Sequence, residues 1–390
     1  MKYPKRLGRY VSASTAGDTF QAFVPPPLPP DPPLQLSERD YDLMERANRA
    51  VGRLDGMTSL LPDTSLFIYF YVRKEALLSS QIEGTQSSFA DLILFETKEV
   101  PGVPLADVQE VSNYVAAMNH GLKRLRQNFP LSLRLLREMH AILLSRGRGA
   151  GKLPGEFRRT QNWVGGSRPS EALFVPPPSN LVAGLMGDLE KFLHGDPVRM
   201  PVLIRAALAH MQFETIHPFL DGNGRLGRLL ITLLLCEERA LNEPALYLSL
   251  YFKIHRQAYY DHLQRVRTEG DWEGWLRFFM TGVLETAEQA TKAAHAILRL
   301  FERDRAKIET LGRPAGSTLR VHQLLQKRPI TSAPAAAKKL RVTEPTARAA
   351  LAHLQKLKIV REMTGKRRNR LFVYDKYVSI LDEGTEPIRR

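Results

Sequence analysis

Most of the chemistry available to this chain is concentrated in one run, His217-Pro218-Phe219-Leu220-Asp221-Gly222-Asn223-Gly224-Arg225-Leu226-Gly227-Arg228. An amphipathic helical pattern ends near Ile216, and a new stripe, Leu226, Leu229, Leu230, Leu233 and Leu234, begins after it. The run is therefore a tight Gly-rich turn opening onto a helix N-terminus, where unpaired N–H groups and a partial positive charge attract anions. Gly222 and Gly224 let the backbone come close to a phosphate, and Asn223 tolerates a left-handed conformation. Arg225 and Arg228, three apart, share one helix face beside that opening and suit phosphate oxygens. Asp221 is a hard oxygen ligand of the kind Mg²⁺ uses alongside substrate phosphates. His217 titrates near neutrality and can take a proton from an attacking hydroxyl, while Phe219 is expected to anchor the loop.

Each residue alone is weak, but the string matches the signature of the Fic family, H-x-F-x-D/E-G-N-G-R-x-x-R, at every specified position. At about 5% usage per residue type, the chance of such a match at a given site is on the order of 10⁻¹⁰. The sequence resembles Fic adenylyltransferases, which move AMP from ATP onto a hydroxyl side chain. The resemblance implies His217 as general base and Asp221 as the Mg²⁺ ligand. Gly222, Asn223 and Gly224 would form an anion hole, with Arg225 and Arg228 on the outer phosphates. The Doc-like branch, which phosphorylates, carries Lys where this chain has Gly224, so the resemblance is to the AMP transferers.

Two further segments extend the resemblance. Gly155 to Gly166, followed by Phe174-Val175-Pro176-Pro177-Pro178, places aromatic and β-branched residues around a Gly/Ser/Pro turn, which predicts a hairpin. It looks like the family's flap, on which Val164, Gly165, Gly166, Phe174 and Val175 would dock an extended target segment. Ser79-Ser80-Gln81-Ile82-Glu83-Gly84 matches the inhibitory pattern of Fic proteins: Ser or Thr, three residues, Glu, then Gly or Asn. Its place ahead of the catalytic motif implies the class with an N-terminal inhibitory helix. Glu83, with Ser79, would engage Arg228 in the place of the γ-phosphate. The plainer alternative is a helix end terminated by Gly84, with Glu83 solvated.

The elements that must hold these residues are helical almost throughout. Periodic apolar spacing predicts helices at 38–53, 64–80, 87–97, 106–127, 131–145, 179–194, 201–216, 223–239 and 271–310. Residues 1–36, with the proline run from Pro25 to Pro33, are expected to form an extended arm packed on their own domain. At 390 residues, 43% hydrophobic and 25% charged, the composition excludes a disordered chain, a collagen and a membrane bundle. A lone Cys236 in the run LLITLLLC excludes an internal disulfide and a cysteine zinc site, and fits a buried small hydrophobe. No apolar segment follows the basic N-terminus, so no signal peptide and a cytoplasmic location are expected.

The net charge of +15 is unevenly placed. From Gly312 to Arg390 there are 18 Lys/Arg against 6 Asp/Glu, a net +12, which leaves +3 for the preceding 311 residues. This basic stretch predicts helices at 318–328 and 331–340, a third after Arg341-Val342-Thr343-Glu344-Pro345, and strands near 359–363 and 370–374. That order resembles a winged helix-turn-helix, with Thr343, Thr346 and Arg348 near the recognition-helix start and Lys366, Arg367, Arg368 and Arg370 on the wing. Its charge favours DNA, although winged helices also dock proteins. The 271–311 helix is expected to space this module from the core and is a candidate dimer contact.

The expected architecture is mainly α: a proline arm (1–36), a region with the inhibitory helix (37–104), a Fic core with a short β-hairpin flap (105–270), the linking helix and a winged helix (312–390). The expected activity is ATP- and Mg²⁺-dependent adenylylation of a Ser, Thr or Tyr hydroxyl on a target protein, the chain itself being one candidate. The alternatives are a DNA-binding regulator whose pocket only senses ATP, and an enzyme that removes AMP. An intact His217 argues against a mere sensor, which needs no base.

Overall fold

The computed structural model describes residues 6–15, 17–59, 64–96, 105–365 and 370–386. Eleven helices, α1 (Glu38–Ser59), α2 (Thr64–Ile82), α3 (Phe89–Glu96), α4 (Leu105–Arg126), α5 (Leu133–Leu143), α6 (Ser179–Leu193), α7 (Val202–Ile216), α8 (Asn223–Glu237), α9 (Ser249–Ile254), α10 (Arg256–Glu269) and α11 (Trp272–Glu309), build the main body. The helices expected from periodicity stand within two residues of their predicted bounds, except that α1 runs on to Ser59 rather than ending at 53. The α7–α8 pair is its axis: every residue of α7 from Leu203 to Ile216 is buried, as are Arg225 to Leu235 of α8. Helices apolar on all sides belong inside a bundle, and the chemically rich turn joins these two.

The structure departs from expectation at the N-terminus. The arm begins with an antiparallel hairpin, β1 (Arg9–Thr15) and β2 (Asp18–Val24), paired from Arg9↔Val24 to Thr15↔Asp18. The prolines then lie along the body, where Gln212 Nε2 donates to the Pro26 carbonyl (2.8 Å) and Arg6 Nε to that of Pro32 (2.7 Å). Arg6 also pairs with Glu273 at 2.8 Å and is almost fully buried. The proline run is thus packed on its own domain.

A second departure concerns α11. Its 38 residues span about 57 Å at 1.5 Å per residue, but it is not a free spacer. Trp272, Trp275, Phe279 and Val283 are core residues of the helical body, while Ile297, Leu300 and Ile308 carry the same apolar cluster onward. That cluster continues through Val321, Leu325, Leu351, Leu354, Tyr374 and Tyr377, so the C-terminal module shares one continuous core with the body. Near its end, Asp304 is buried and accepts from the Tyr374 hydroxyl at 3.0 Å, and His322 Nε2 lies 3.2 Å from the same hydroxyl.

The module comprises α12 (Ala315–Lys327), β3 (Ile330–Ser332), α13 (Ala333–Leu340), α14 (Glu344–Lys356), β4 (Arg361–Glu362), β5 (Leu371–Val373) and α15 (Asp375–Asp382). The strands form an antiparallel sheet in the order β3-β5-β4, with Ile330 and Arg361 both opposite Val373. Thr343 caps α14 by accepting from the Thr346 N–H, and Ser332 caps α13 in the same way. This is the expected winged helix, with β3 and α15 as additions. Among the described residues, no helix is long and apolar enough to cross a membrane.

Candidate active site

The turn between α7 and α8 is fixed residue by residue. His217 ends α7 in a left-handed conformation (φ 50°) with its N–H on the Phe213 carbonyl at 2.9 Å. Gly222 takes φ 77° and starts α8, so the first N–H groups of that helix face the opening. The Asn223 side chain brackets the loop: Oδ1 accepts from the Phe219 N–H (2.9 Å) and Nδ2 donates to the Phe219 carbonyl (2.8 Å). Phe219 is fully buried, its ring stacked on His140 at 3.7 Å, which makes it the expected anchor.

Three residues outside the motif complete the frame. Arg158 is buried, donating through its backbone N–H to the Pro218 carbonyl and through Nε to the His217 carbonyl, both at 2.9 Å. Asn162 Nδ2 donates to the Phe219 carbonyl at 2.8 Å. His140 Nδ1 accepts from the Gly155 N–H at 2.8 Å, which obliges Nε2 to carry the proton it donates to the Asp221 carbonyl at 2.9 Å. Burial pushes His140 down to about 4, so this neutral tautomer persists at ordinary pH.

The His217 imidazole is pushed down to about 4, by burial first and then by the nearby Arg158 guanidinium. The Glu214 backbone opposes this shift. At pH 7 the imidazole is thus neutral.

Asp221 Oδ1 accepts from the Gly222 N–H (2.6 Å) and lies 3.4 Å from Arg225 Nη2. Its Oδ2 faces Gly149, where a Cβ would come within 2.7 Å of it, so the absence of a side chain there keeps that oxygen clear. One free carboxylate oxygen suits Mg²⁺, which takes one or two carboxylates and fills its other positions with water and phosphate. Among the described residues no cluster of three metal-ligating side chains exists, so such an ion would depend on the nucleotide. Arg225 is buried and pairs with Glu110 at 3.1 Å as well as with Asp221, which places its charge behind the loop.

Arg228 is buried and fully engaged by the end of α2. Its Nε donates to Ser79 Oγ (2.8 Å), and its Nη2 to the Ser79 carbonyl (3.0 Å) and to Glu83 Oε1 (2.6 Å). Burial would raise the Glu83 carboxyl, but Arg228 and Arg225 outweigh it and hold the group below the usual carboxylate range. A Cβ at Gly224 would collide with Glu83 Oε1 and lie 3.0 Å from Arg228 Nη1. The Glu83 carboxylate therefore sits at the α8 N-terminus, where a phosphate is expected.

The flap is a minimal hairpin. Val164 and Phe174 form one antiparallel bridge, with N–H···O distances of 2.9 and 3.2 Å. Gly165 and Gly166 turn at φ 71° and 72°, and Gly166 leaves no room for a Cβ beside the Glu171 carbonyl. The Phe23 N–H of β2 donates to the Val175 carbonyl at 2.9 Å, so the N-terminal hairpin covers one flap edge and leaves Val164 exposed on the other. Arg267 of α10 stacks 3.8 Å above the Phe174 ring and donates to Thr215 Oγ1 (3.3 Å), joining flap to catalytic turn.

The sequence-expected residues Ser79, Glu83, His217, Asp221 and Gly222 to Arg228 are thus brought together, with the flap tied alongside through Asn162. The DNA candidates lie on the separate basic module. Thr346 is in the first turn of α14, Arg348 is exposed and paired with Glu344, and Arg370 is exposed just before β5. Lys366, Arg367 and Arg368 lie outside the described residues. Cys236 is half-buried against the core, and its surroundings push the thiol up to about 12.

Comparison with known proteins agrees with this frame. Residues 41–123 match the Fic/DOC family N-terminal region, 130–235 the Fic/DOC family itself, and 320–372 a helix-turn-helix DNA binding domain. This chain carries a Fic domain. It is 36% identical over 201 residues to "Protein adenylyltransferase Fic" of Culex quinquefasciatus, covering 50% of this chain and 37% of that one. The protein of the same name from Aedes aegypti is 34% identical over 244 residues, covering 60% and 45%. The chain thus spans under half the length of these relatives. In fold, the Fic protein resembles a Fic family protein from Desulfovibrio desulfuricans, with a TM-score of 0.58 at 18% identity over 88% of this chain and 97% of that one. A Fic domain containing signaling protein from Bacteroides thetaiotaomicron gives 0.53 at 19%, over 64% and 97%.

Proposed function

We propose that this Fic protein transfers AMP from ATP to a hydroxyl side chain of a target protein and is held off by Glu83. The observation that carries the transfer reading is a neutral imidazole set beside a helix N-terminus, whose N–H groups suit an anion. His217 takes the proton of the incoming hydroxyl as its oxygen bonds to the α-phosphorus. The bond from that phosphorus to the bridging oxygen breaks on the opposite side, and pyrophosphate leaves. The N–H groups of Asn223 and Gly224 face the charge that accumulates, the Gly222 N–H being held by Asp221, and Arg225 adds positive potential from behind. Mg²⁺, held by Asp221 Oδ2, would supply charge neutralisation on the phosphates. The family's naming as adenylyltransferase in its insect relatives supports the same reading.

The hold is supported by the Glu83 carboxylate at the α8 N-terminus. Arg228 cannot serve both that carboxylate and an outer phosphate. With Glu83 in place, ATP loses its outermost anchor and its α-phosphorus is not held for in-line attack. Incubating the full chain with Mg²⁺ and ATP labelled at the α-phosphate tests both points. Covalent label is expected from wild type, more from Glu83→Gly and none from His217→Ala. Label in His217→Ala removes the base assignment, and equal label in wild type and Glu83→Gly removes the inhibitory one.

The match of 320–372 to a DNA binding domain and the +12 charge of the module support duplex DNA as a second partner. Retardation of random duplex that disappears with rising salt is the expected result. No retardation at low salt transfers the module to protein docking.

A further inference from the structure

The end of α2 is gripped from two sides, and only one is the nucleotide site. Ser79 and Glu83 face Arg228. Lys74 and Gln81 are seven residues apart, two turns along one face, while Gln81 and Ser79 lie about 200° apart around the helix. On their own side, Lys74 Nζ donates to the Glu383 carbonyl at 2.7 Å, and Gln81 Nε2 to the Thr385 carbonyl at 2.7 Å and the Ser87 carbonyl at 2.9 Å. Lys253 of α9 joins the grip, donating to the Gly384 carbonyl at 3.1 Å and to that of Glu386. The segment after α15, which closes the winged-helix module, is therefore bound directly to the helix that carries the inhibitory turn.

Charge and packing make this seam specific. Of the six Asp/Glu in the basic module, Asp382, Glu383 and Glu386 fall in this short segment, opposite the buried Lys74 and mostly buried Lys253. Thr385 and Gln81 are each 1% exposed, and Tyr377 of α15 packs edge-on to Phe70 of α2 at 5.1 Å. Beyond the seam the turn is loosely satisfied. Ser80 Oγ, Gln81 Oε1, Thr85 Oγ1 and Ser87 Oγ are buried with no hydrogen-bond partner among the described residues. Buried polar atoms without partners raise the energy of the conformation that buries them. Such a turn needs an outside hold to stay in place.

We propose that Lys74 and Gln81 are positioning residues for Glu83: bound to the carbonyls of Glu383 and Thr385, they hold the inhibitory turn on Arg228. Withdrawal of the C-terminal segment then loosens Glu83 and opens the place of the γ-phosphate. This rests on the inhibitory reading above, and adds that the winged-helix module sets the strength of the inhibition.

The test uses the full chain, Gln81→Leu, a chain ending at Asp382, Glu83→Gly, and Glu83→Gly combined with each of the first two changes. Label transfer from ATP and backbone amide exchange over residues 79–84 are both read. Gln81→Leu and the shortened chain are expected to raise transfer about fivefold or more, the range of ordinary coupling between sites, and to speed amide exchange in the turn. In the Glu83→Gly background neither change adds to the rate. Should Gln81→Leu not fold, the shortened chain decides, because it leaves α2 untouched. If Glu83→Gly accelerates transfer but the other variants neither accelerate it nor loosen the turn, the positioning role is wrong and the inhibitory reading stands. If Glu83→Gly itself leaves the rate unchanged, the inhibitory reading falls and this one with it. An added gain on top of Glu83→Gly also overturns the proposal, since the segment then acts by another route.

Discussion

Two turns meet at Arg228, and they are built on opposite principles. In the catalytic turn, the carbonyls of His217, Pro218, Phe219 and Asp221 all accept hydrogen bonds from Arg158, Asn162, Asn223 or His140. In the inhibitory turn, four buried side-chain atoms between Ser80 and Ser87 lack partners among the described residues. The first has its backbone carbonyls held from outside the turn, although Asn162 Oδ1 and Arg225 Nε beside it are also buried without partners among the described residues. Backbone dipoles fixed in this way suit electrostatic catalysis. Under the proposed inhibition, the second would be a block that can be lifted. A site that must be both accurate and switchable separates the two tasks into different segments.

Four experiments can break or sharpen that contrast. The largest effect is expected from His217→Ala, which should lower transfer by at least 10²–10⁴-fold, the usual weight of a general base; single-turnover label transfer measures it. Next is Glu83→Gly, which removes the ion pair over the α8 N-terminus. It should raise transfer and tighten ATP about tenfold, equal to about 1.4 kcal/mol of lost competition, read by nucleotide titration. An unchanged nucleotide affinity would mean that the block is not where the phosphate goes.

Asn223→Asp keeps size but turns the donor toward Phe219 into a second acceptor. It should cost about 1–3 kcal/mol of stability, measured by denaturant unfolding, with activity falling alongside. A silent substitution would show that the catalytic turn is less rigid than its bonds imply. The smallest effect is one of pH. His217 is pushed down to about 4 from an ordinary 6.5, so the neutral base persists as pH falls through 6. The acid limb of the transfer rate should therefore lie well below 6, and a limb near 6.5 would mean that burial does not govern this imidazole.

The helices were legible because their apolar spacing repeats, and the signature string located the catalytic turn outright. What failed to show was of two kinds. The β1–β2 hairpin lies beside prolines, and its buried residues, Phe20, Ala22, Phe23 and Val24, all fall on β2, so β1 carries no buried pattern to mark a strand pair. In α10 only Tyr259, Leu263 and Val266 are buried, a narrow stripe in a polar stretch. The residues that brace the site were hidden for another reason. Glu110 lies 115 positions before Arg225, and His140 lies 81 before Asp221. Contacts at such separations leave no local pattern in a single sequence. Arg158 and Asn162 were visible as part of a flap, but their service to the His217 and Phe219 carbonyls needed the fold.

The same limitation made α11 look like a tether, and its actual role bears on how this protein can be divided. Asp304 keeps its carboxylate inside because the Tyr374 hydroxyl, Lys307 and Arg303, at 3.0, 3.1 and 3.2 Å, answer it there. Phe301 is covered by the rings of Tyr374 and Tyr377. A shortened protein that stops near residue 311 would strand an acid and an aromatic ring on the outside of a helix shaped to be covered. Swapping the basic module for another would meet the same difficulty, because the replacement would have to cover the same acid and ring.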